Sequence, residues 1–252
     1  MSLQSRLDSL SDTSQKRAVL IPARNEAMSL GLVIAGVREF SPSVEIIVVN
    51  SDSTDDTKPL AERLGATVVD QNGSGYAGAL MAGYRYLEAN GFTKVVQIDA
   101  DGQHPASDIP RLFSALDRAN WVIGSRANTD SESSLDRKLG NAILSALVRL
   151  TTGETIHDVT SGFWGLDIET LTLFSKYFPH QTADANVRVM AVQNGISICE
   201  IPVTMNCRHA GKSMHDGVSG MKNFARSIFA VKDAWRQGEL LTAEKKASAG
   251  SP

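Results

Sequence analysis

The chain alternates short, almost wholly apolar runs with longer segments whose apolar residues recur every three or four positions. AVLIP (18–22) is closed by a proline and followed by AMSLGLVIAGVREF (27–40), which places Leu30, Ile34 and Val37 at helical spacing. The first reads as a strand and the second as a helix. VEIIVVN (44–50) is a β-branched run that stops at the polar cluster SDSTDDT, whose Ser and Asp residues suit the start of a helix reaching Leu64. The unit then repeats, with ATVVD (66–70), a glycine-rich loop, a helix over about 76–90, and KVVQID (94–99).

Apolar strands alternating with helices predict an α/β fold whose parallel sheet is covered on both faces. Ligands of such sheets bind beyond the carboxyl ends of the strands, at a switch in strand order. The polar clusters at 50–57, 71–75 and 99–104 each follow a strand directly, so they are predicted to gather on one rim.

Beyond residue 120 the pattern changes. WVIGSR (121–126) is a further strand, ended by Arg126. After a polar loop comes a long helical pattern from Ser134 to Leu150 with an apolar stripe of Leu135, Leu139, Ala142, Ile143, Ala146 and Leu150. SGFWGLD precedes two more helical stretches. ISICEIPVTMN (196–206) reads as a strand pair or as one strand bent at Pro202. A final helix over about 219–236 sets Met221, Phe224, Ile228, Val231 and Trp235 against Lys222, Arg226, Lys232 and Arg236. The stripes of these two long helices either pack on the sheet or make peripheral contact with a membrane's headgroup region. With no internal repeat and no linker, one domain is expected over 17–238, between a disordered leader (1–16) and a disordered tail (239–252).

Composition narrows the classes. At 252 residues and 42% hydrophobic content the chain can bury a large core. Its 25 basic and 28 acidic residues leave a net charge of -3, which offers no global field for nucleic acid. Cys199 and Cys207 lack CxxC spacing, so they are expected to be packed side chains in a reducing compartment rather than thiolate ligands. The N-terminal stretch lacks a signal peptide's apolar core, and no run approaches the roughly 20 residues of a membrane span. A cytoplasmic location, peripheral to the membrane if the stripes touch it, is therefore expected.

The chemistry concentrates in DADGQHP (99–105), where Asp99 and Asp101 stand two apart at the end of a strand. Like charges so placed repel, and a divalent cation would remove the conflict. Three readings compete: a metal and nucleotide site, a phosphatase-type DxDG nucleophile loop, and a solvated turn. The phosphatase loop ordinarily follows the first strand, whereas this one follows the fourth and continues Gln103, His104, Pro105. GSGYAG also matches GxGxxG at Gly73, Gly75 and Gly78. It follows the third strand rather than the first, which favours a loop of approachable backbone amides over a dinucleotide fingerprint.

Taken together, LIPARNE, IIVVNSDSTDDT, NGSGYAGALMAG, VVQIDADGQHPASDIPRL, VIGSR, DVTSGFWGL and EIPVTMNCRHAGKS resemble, in order over about residues 17–214, the inverting family 2 glycosyltransferases of the GT-A fold. The likeness is above all to polyprenyl-phosphate (dolichyl-phosphate) mannose and glucose synthases. It implies a mostly parallel central sheet flanked by helices, and a nucleoside diphosphate sugar lying over the strand ends. Pro22, Asn25, Glu26, Asn50, Asp52 and Gly75 would surround the nucleotide sugar, with Asp99 near the ribose or the metal. Asp101 would hold Mg²⁺ or Mn²⁺ with Gln103 as a further oxygen ligand, a donor set such cations accept. Arg126, Arg208, His209 and Lys212 match segments whose basic groups contact the donor diphosphate or an acceptor phosphate. Ser161, with Gly162 and Phe163, matches the family's SGF turn on the acceptor side, where Trp164 and His209 would also lie. Asp184 matches an acidic residue near the acceptor, as a general base or as the cap of the next helix.

Two positions depart from the family pattern. Asn50-Ser51 stand where Asp-Asp is common, and Asn, which donates as well as accepts, can read a different base edge. Trp164 stands where Arg often follows SGF, which removes one cationic contact. The resemblance implies a metal-dependent hexosyltransferase moving a sugar from a UDP- or GDP-sugar to a polyprenyl phosphate. The alternatives are a small-molecule hydroxyl acceptor, which would need Asp184 as base, and a sugar-nucleotide-binding protein that has lost transfer.

Overall fold

The computed structural model describes residues 15–72, 75–127, 135–179, 183–206 and 226–236. Its elements are β1 (Arg17–Ala23), α1 (Ala27–Phe40), β2 (Glu45–Ser51), α2 (Thr57–Arg63), β3 (Thr67–Gln71), α3 (Gly75–Ala89) and β4 (Lys94–Gln97). A 3-10 turn then leads into α4 (Ile109–Ala115), followed by β5 (Trp121–Ser125), α5 (Leu135–Thr152), β6 (Trp164–Asp167), α6 (Ile168–Tyr177), α7 (Ala185–Gln193) and β7 (Ile198–Pro202). Residues 226–236 are helical.

The seven strands form one sheet in the order β3-β2-β1-β4-β6-β5-β7. All neighbouring pairs are parallel except those made by β6, which runs antiparallel to both β4 and β5. Strand order reverses at β1, so the crevice between β1 and β4 is the switch point where α/β sheets bind ligands. Pro22 lies just past the last β1–β4 pair, Leu20 with Gln97. By strand alternation its missing N–H faces that departing neighbour, so the proline forfeits no ladder bond where the crevice opens.

Successive strand residues enter opposite layers. Leu20, Ile47, Val49 and Trp121 pack under α3, α6 and α7, while Val19, Ile21, Val48 and Val122 pack under α1 and α4. In the first layer Tyr84 meets Phe174 and Phe178, and Trp121, Trp164 and Phe174 meet one another, in edge-to-face and tilted pairs, each contributing roughly 0.5–1.5 kcal/mol beyond area burial. A Cβ on Gly83 would meet Leu20 at 2.6 Å, which is how closely α3 lies on β1.

Three expectations change. β6 is a strand that the WGLD pattern does not announce, because four residues with a central glycine show no alternation. Of 196–206 only Ile198–Pro202 is strand, at the sheet edge where a proline forfeits little. On α5, Leu144 and Val148 are buried, whereas Leu139, Ile143 and Leu150 of the expected stripe are 63%, 39% and 82% exposed. That stripe does not pack on the sheet. On the last helix Val231 is buried and Ile228 and Trp235 pack on the core, as the pattern requires. The leader, the tail, Cys207 and the 219–225 part of the final helix lie outside the described residues.

Candidate active site

The loops after β1 and β2 are built into each other. The Asn25 amide N–H donates to Ser53 Oγ at 3.1 Å, and Asn25 Oδ1 accepts from the Thr54 N–H at 2.8 Å. The first amides of α1, at Glu26 and Ala27, donate to Thr57 Oγ1 (2.8 Å) and Asp55 Oδ2 (3.1 Å). The start of α1 is thus satisfied by side chains from the neighbouring loop rather than by its own cap. Asn25 and Asp52 adopt left-handed backbone conformations (φ 56° and 48°), sparsely populated by residues other than glycine but best tolerated by Asn and Asp. Such outliers cluster where a site imposes them.

Asn50 and Ser51 end β2 with their side chains turned to β3. Asn50 Nδ2 donates to Asp70 Oδ1 (2.9 Å) and its Oδ1 accepts from the Ser53 N–H (3.3 Å). Ser51 Oγ donates to Gln71 Oε1 at 2.9 Å. Lys58 caps the row with an ion pair to Asp70. Lys58 first and Asn50 second donate hydrogen bonds to Asp70, and together they hold its carboxyl below the usual range. Both ends of the Asn50 amide are therefore engaged inside the protein, and the departure from Asp-Asp is matched by Asp70 across the ladder.

The DxD segment leaves β4 at the switch point. Asp99 Oδ1 accepts from the Tyr76 hydroxyl at 3.0 Å. Gln97, buried, donates to the Tyr76 oxygen (3.2 Å) and to the Gly162 carbonyl (3.0 Å), and accepts from Tyr84. Burial first, then the Asp99 charge, pushes the Tyr76 phenol well above its ordinary value. Gly162 is the close approach: a Cβ there would meet the Tyr76 hydroxyl at 3.1 Å and Asp99 Oδ2 at 3.4 Å. Asp101 is 7% exposed, and its Oδ1 accepts the Gln103 N–H at 3.0 Å across a turn at Gly102. His104 stacks on Phe163 with ring centroids 4.9 Å apart, and its Nδ1 accepts the Asp99 N–H at 2.9 Å. Burial holds this imidazole below its usual pKa. The Asn206 N–H donates to the Gln103 carbonyl at 2.8 Å, which clips the loop to the exit of β7.

Arg126, at the end of β5, is gripped by Asp158. Its Nε and Nη2 donate to the two carboxylate oxygens at 2.7 and 2.8 Å, its backbone N–H adds a third bond at 2.9 Å, and Nη2 also reaches Thr160 Oγ1. Burial alone would raise the Asp158 pKa, but the Arg126 bonds outweigh it and hold the carboxyl below its ordinary value. The Asp158 segment is fixed from behind. Glu200 on β7 accepts the His157 and Asp158 N–H groups, each at 2.8 Å, and Asn141 on α5 accepts the Val159 N–H at 3.1 Å.

The SGF turn rests on buried donors. Ser161 Oγ donates to the Gly124 carbonyl at 2.7 Å, and the Ser161 carbonyl accepts from both Arg188 Nη2 (2.7 Å) and the Trp164 indole N–H. This corrects the acceptor-side reading of Ser161 and Trp164. Both are buried, Trp164 to 1% exposure, and they shape the turn from beneath rather than facing a ligand. Arg188, itself fully buried, lies 5.0 and 4.7 Å from the Trp121 and Trp164 ring centroids and donates to the Asp184 carbonyl at 3.1 Å. Burial lowers its pKa to about 10, so it stays charged at neutral pH, and no ion pair involves it among the described residues.

Asp184 precedes α7, but its carboxylate does not cap the helix; Oδ2 instead accepts from Ser227 Oγ at 2.7 Å. The capping alternative is therefore set aside. Pro22 is buried in β1, while Glu26 and Gly75 open their respective helices, Gly75 with φ 69°. Arg208, His209 and Lys212 lie outside the described residues. Sequence reasoning missed Asp70, Tyr76, Gln97, Asp158 and Arg188. Of these only Asp158 carried a signal, being the acidic residue three before SGF.

The donor set fits a hard divalent cation. Asp101 offers carboxylate oxygen, and the Gln103 amide has no hydrogen-bond partner among the described residues. One or two protein ligands completed by phosphate oxygens and water is the usual arrangement for Mg²⁺ or Mn²⁺ at a nucleotide. Among the described residues no group of three or more His, Cys, Asp or Glu side chains is arranged to hold a metal ion by itself.

Comparison with known proteins adds a name to this geometry. The family model described as glycosyl transferase family 2 matches residues 18–173. A polyprenol monophosphomannose synthase of Mycolicibacterium smegmatis is 29% identical over 244 residues, covering 90% of this chain and 89% of its own. An undecaprenyl-phosphate mannosyltransferase of Micrococcus luteus is 30% identical over 217 residues, covering 80% and 88%. The crystal structure of glucosyl-3-phosphoglycerate synthase from Mycobacterium tuberculosis, in complex with Mn²⁺, uridine-diphosphate and glucosyl-3-phosphoglycerate, superposes with a TM-score of 0.64 at 21% identity over 89% of this chain and 81% of that one. At that identity the likeness speaks for the shared GT-A fold.

Proposed function

Since the chain belongs to glycosyl transferase family 2, and is a glycosyltransferase on that ground, we propose that it moves a hexose with inversion from a nucleoside diphosphate sugar to a polyprenyl phosphate. The observation that carries this reading is the Arg126–Asp158 clamp at the carboxyl end of β5, whose guanidinium feels the Asp99 charge. A guanidinium immobilised on the rim by a buried carboxylate, with Asp99 near, is held in place to meet a phosphate that arrives with a cation. The relatives named as acting on polyprenol or undecaprenyl phosphate, which align over most of both chains, support the acceptor class.

In this reading Asn25 and the 50–55 loop line the nucleotide pocket, and Asp99 orients the ribose or the metal. Asp101 and Gln103 would hold Mg²⁺ or Mn²⁺. Bound there, the cation neutralises charge on the departing diphosphate. A phosphate acceptor is anionic at neutral pH and needs no strong base, so Asp184, steadied by Ser227, serves to orient the acceptor side. Nucleophile and leaving group stand on opposite faces of the anomeric carbon, which gives inversion.

The test is transfer from UDP- and GDP-hexoses to a short-chain polyprenyl phosphate in detergent, with Mn²⁺ and with chelator, and with the anomeric configuration of the product determined. Metal-dependent, inverted product with one of the two donors is expected. Turnover only with small hydroxyl acceptors would replace the lipid assignment. Nucleotide binding without turnover on any acceptor would mark a protein that has lost transfer.

A further inference from the structure

The outward face of α5 is inverted relative to an ordinary surface helix. Asn141, Leu144, Ser145 and Val148 turn inward, and the exposed positions among the helix side chains described, 138–152, are Lys138, Leu139, Ala142, Ile143, Ala146, Arg149 and Leu150. A helix side facing water normally carries the charged and polar residues of both signs. Here five of seven exposed residues are apolar and the other two are cations. Taking 100° per residue, Leu139, Ile143 and Leu150 fall within about 40° of one another, directly opposite the buried face. Lys138 and Arg149 flank one side of this stripe, about 16 Å apart along the axis.

We propose that this face of α5 docks on an anionic lipid bilayer, lying in the headgroup plane with Leu139, Ile143 and Leu150 inserted and Lys138 and Arg149 on lipid phosphates. The chemistry is that of an interfacial helix: apolar side chains of large volume, long basic side chains beside them, and no acidic residue from 137 to 152. A second copy of the chain is a poorer occupant. Antiparallel pairing about a two-fold axis would set Lys138 of each copy against Arg149 of the other, like charge against like.

The inference rests on the polyprenyl-phosphate reading above for its functional meaning, and the fold connects the two. On the inner side of α5, Asn141 and Ser145 hold the 156–160 segment through the His157 carbonyl, the Val159 N–H and the Ile156 carbonyl. That segment carries Asp158, which grips Arg126. The helix that meets the bilayer is therefore the backing of the phosphate-facing arginine, and docking sets Arg126 at the depth of a lipid phosphate.

Co-sedimentation of the full chain with vesicles of phosphatidylcholine and phosphatidylglycerol mixed equally, against phosphatidylcholine alone, tests the surface. The wild type should bind the anionic vesicles. The L139S/I143S/L150S variant should partition at least about tenfold more weakly, and K138E/R149E should lose the preference for anionic lipid. Both should keep wild-type thermal stability and wild-type transfer to the detergent-solubilised short-chain acceptor. A wild type that transfers sugar but binds neither vesicle, or a triple variant that binds as well as wild type, overturns the docking face and leaves the enzymatic reading standing. Vesicle binding lost in the variants, from a chain with no transfer to polyprenyl phosphate, leaves the docking face standing and removes the acceptor. Light scattering that shows a dimer dissolved by L139S/I143S/L150S assigns the face to a second copy instead.

Discussion

The two halves of the rim are built by different means. On the β1–β3 side, polar side chains bond to one another, Asn25 to Thr54 and Asp55 to the start of α1 in exposed loops, and the buried Asn50 to the half-exposed Asp70 across the β2–β3 ladder. On the β5–β7 side the same precision comes from charges inside the protein, with Asp158 behind Arg126 and Arg188 under the SGF turn. A solvated network yields one bond at a time, whereas a buried charge stranded by loss of its partner costs several kcal/mol. The first half loses little when one contact is cut; the second depends on each buried pair.

The sharpest way to break the contrast is Asp158→Ala. It leaves Arg126 without its carboxylate and should destabilise the protein by about 3–5 kcal/mol in urea denaturation, with transfer abolished. pH gives the same pair a second reading. Asp158 titrates in the folded state below the unfolded value of about 3.9, so its contribution is complete above that pH and is lost as pH falls through the folded value. Stability measured from neutral to acid pH should fall in wild type and fall less in Asp158→Asn.

Asp101→Ala should separate chemistry from stability. Given the metal-holding role proposed for Asp101, transfer is expected to drop by about 10²-fold, while the unfolding free energy should change by roughly 1–2 kcal/mol as the turn bond from the Gln103 N–H is lost. Asn50→Asp tests the solvated half. It brings a carboxylate against Asp70, and unfolding measurements should show a loss of about 1 kcal/mol, mitigated by Lys58 and reduced at low pH. The smallest effect on transfer is expected from Trp164→Phe, which keeps an aromatic ring against Arg188 but deletes the N–H to the Ser161 carbonyl and part of a buried ring system. Calorimetry should register a loss of about 1–3 kcal/mol, and transfer should fall only a few-fold while Arg188 still holds that carbonyl.

The β1–β4 half was the more legible in the sequence, and the reason is local. β1 to β4 announce themselves by unbroken apolar runs, and their polar loops follow in the same stretch of chain. Asp99, Asp101 and Gln103 could be singled out because their spacing is itself the chemistry. The other half depends on distant partners. Arg188 finds Ser161 from 27 positions away, and Asp158 reads as a loop residue until Arg126 folds onto it 32 positions off. β6 is invisible because four residues around a glycine carry no period. Trp164 misled for a related reason: a large residue beside a functional turn suits a ligand contact and a core plug equally, and only packing decides. The stripe of α5 showed correctly as a pattern, but a helical period names a face without saying which way it points.

Tyr76 has a consequence of its own. Its phenol touches the Asp99 carboxylate at one end of a chain that runs through Gln97 to Tyr84 in the aromatic core. Whatever loads Asp99 must perturb a buried chromophore. Binding at Asp99 should therefore appear as a near-ultraviolet tyrosine difference signal that needs no label, and that signal should be lost in Tyr76→Phe.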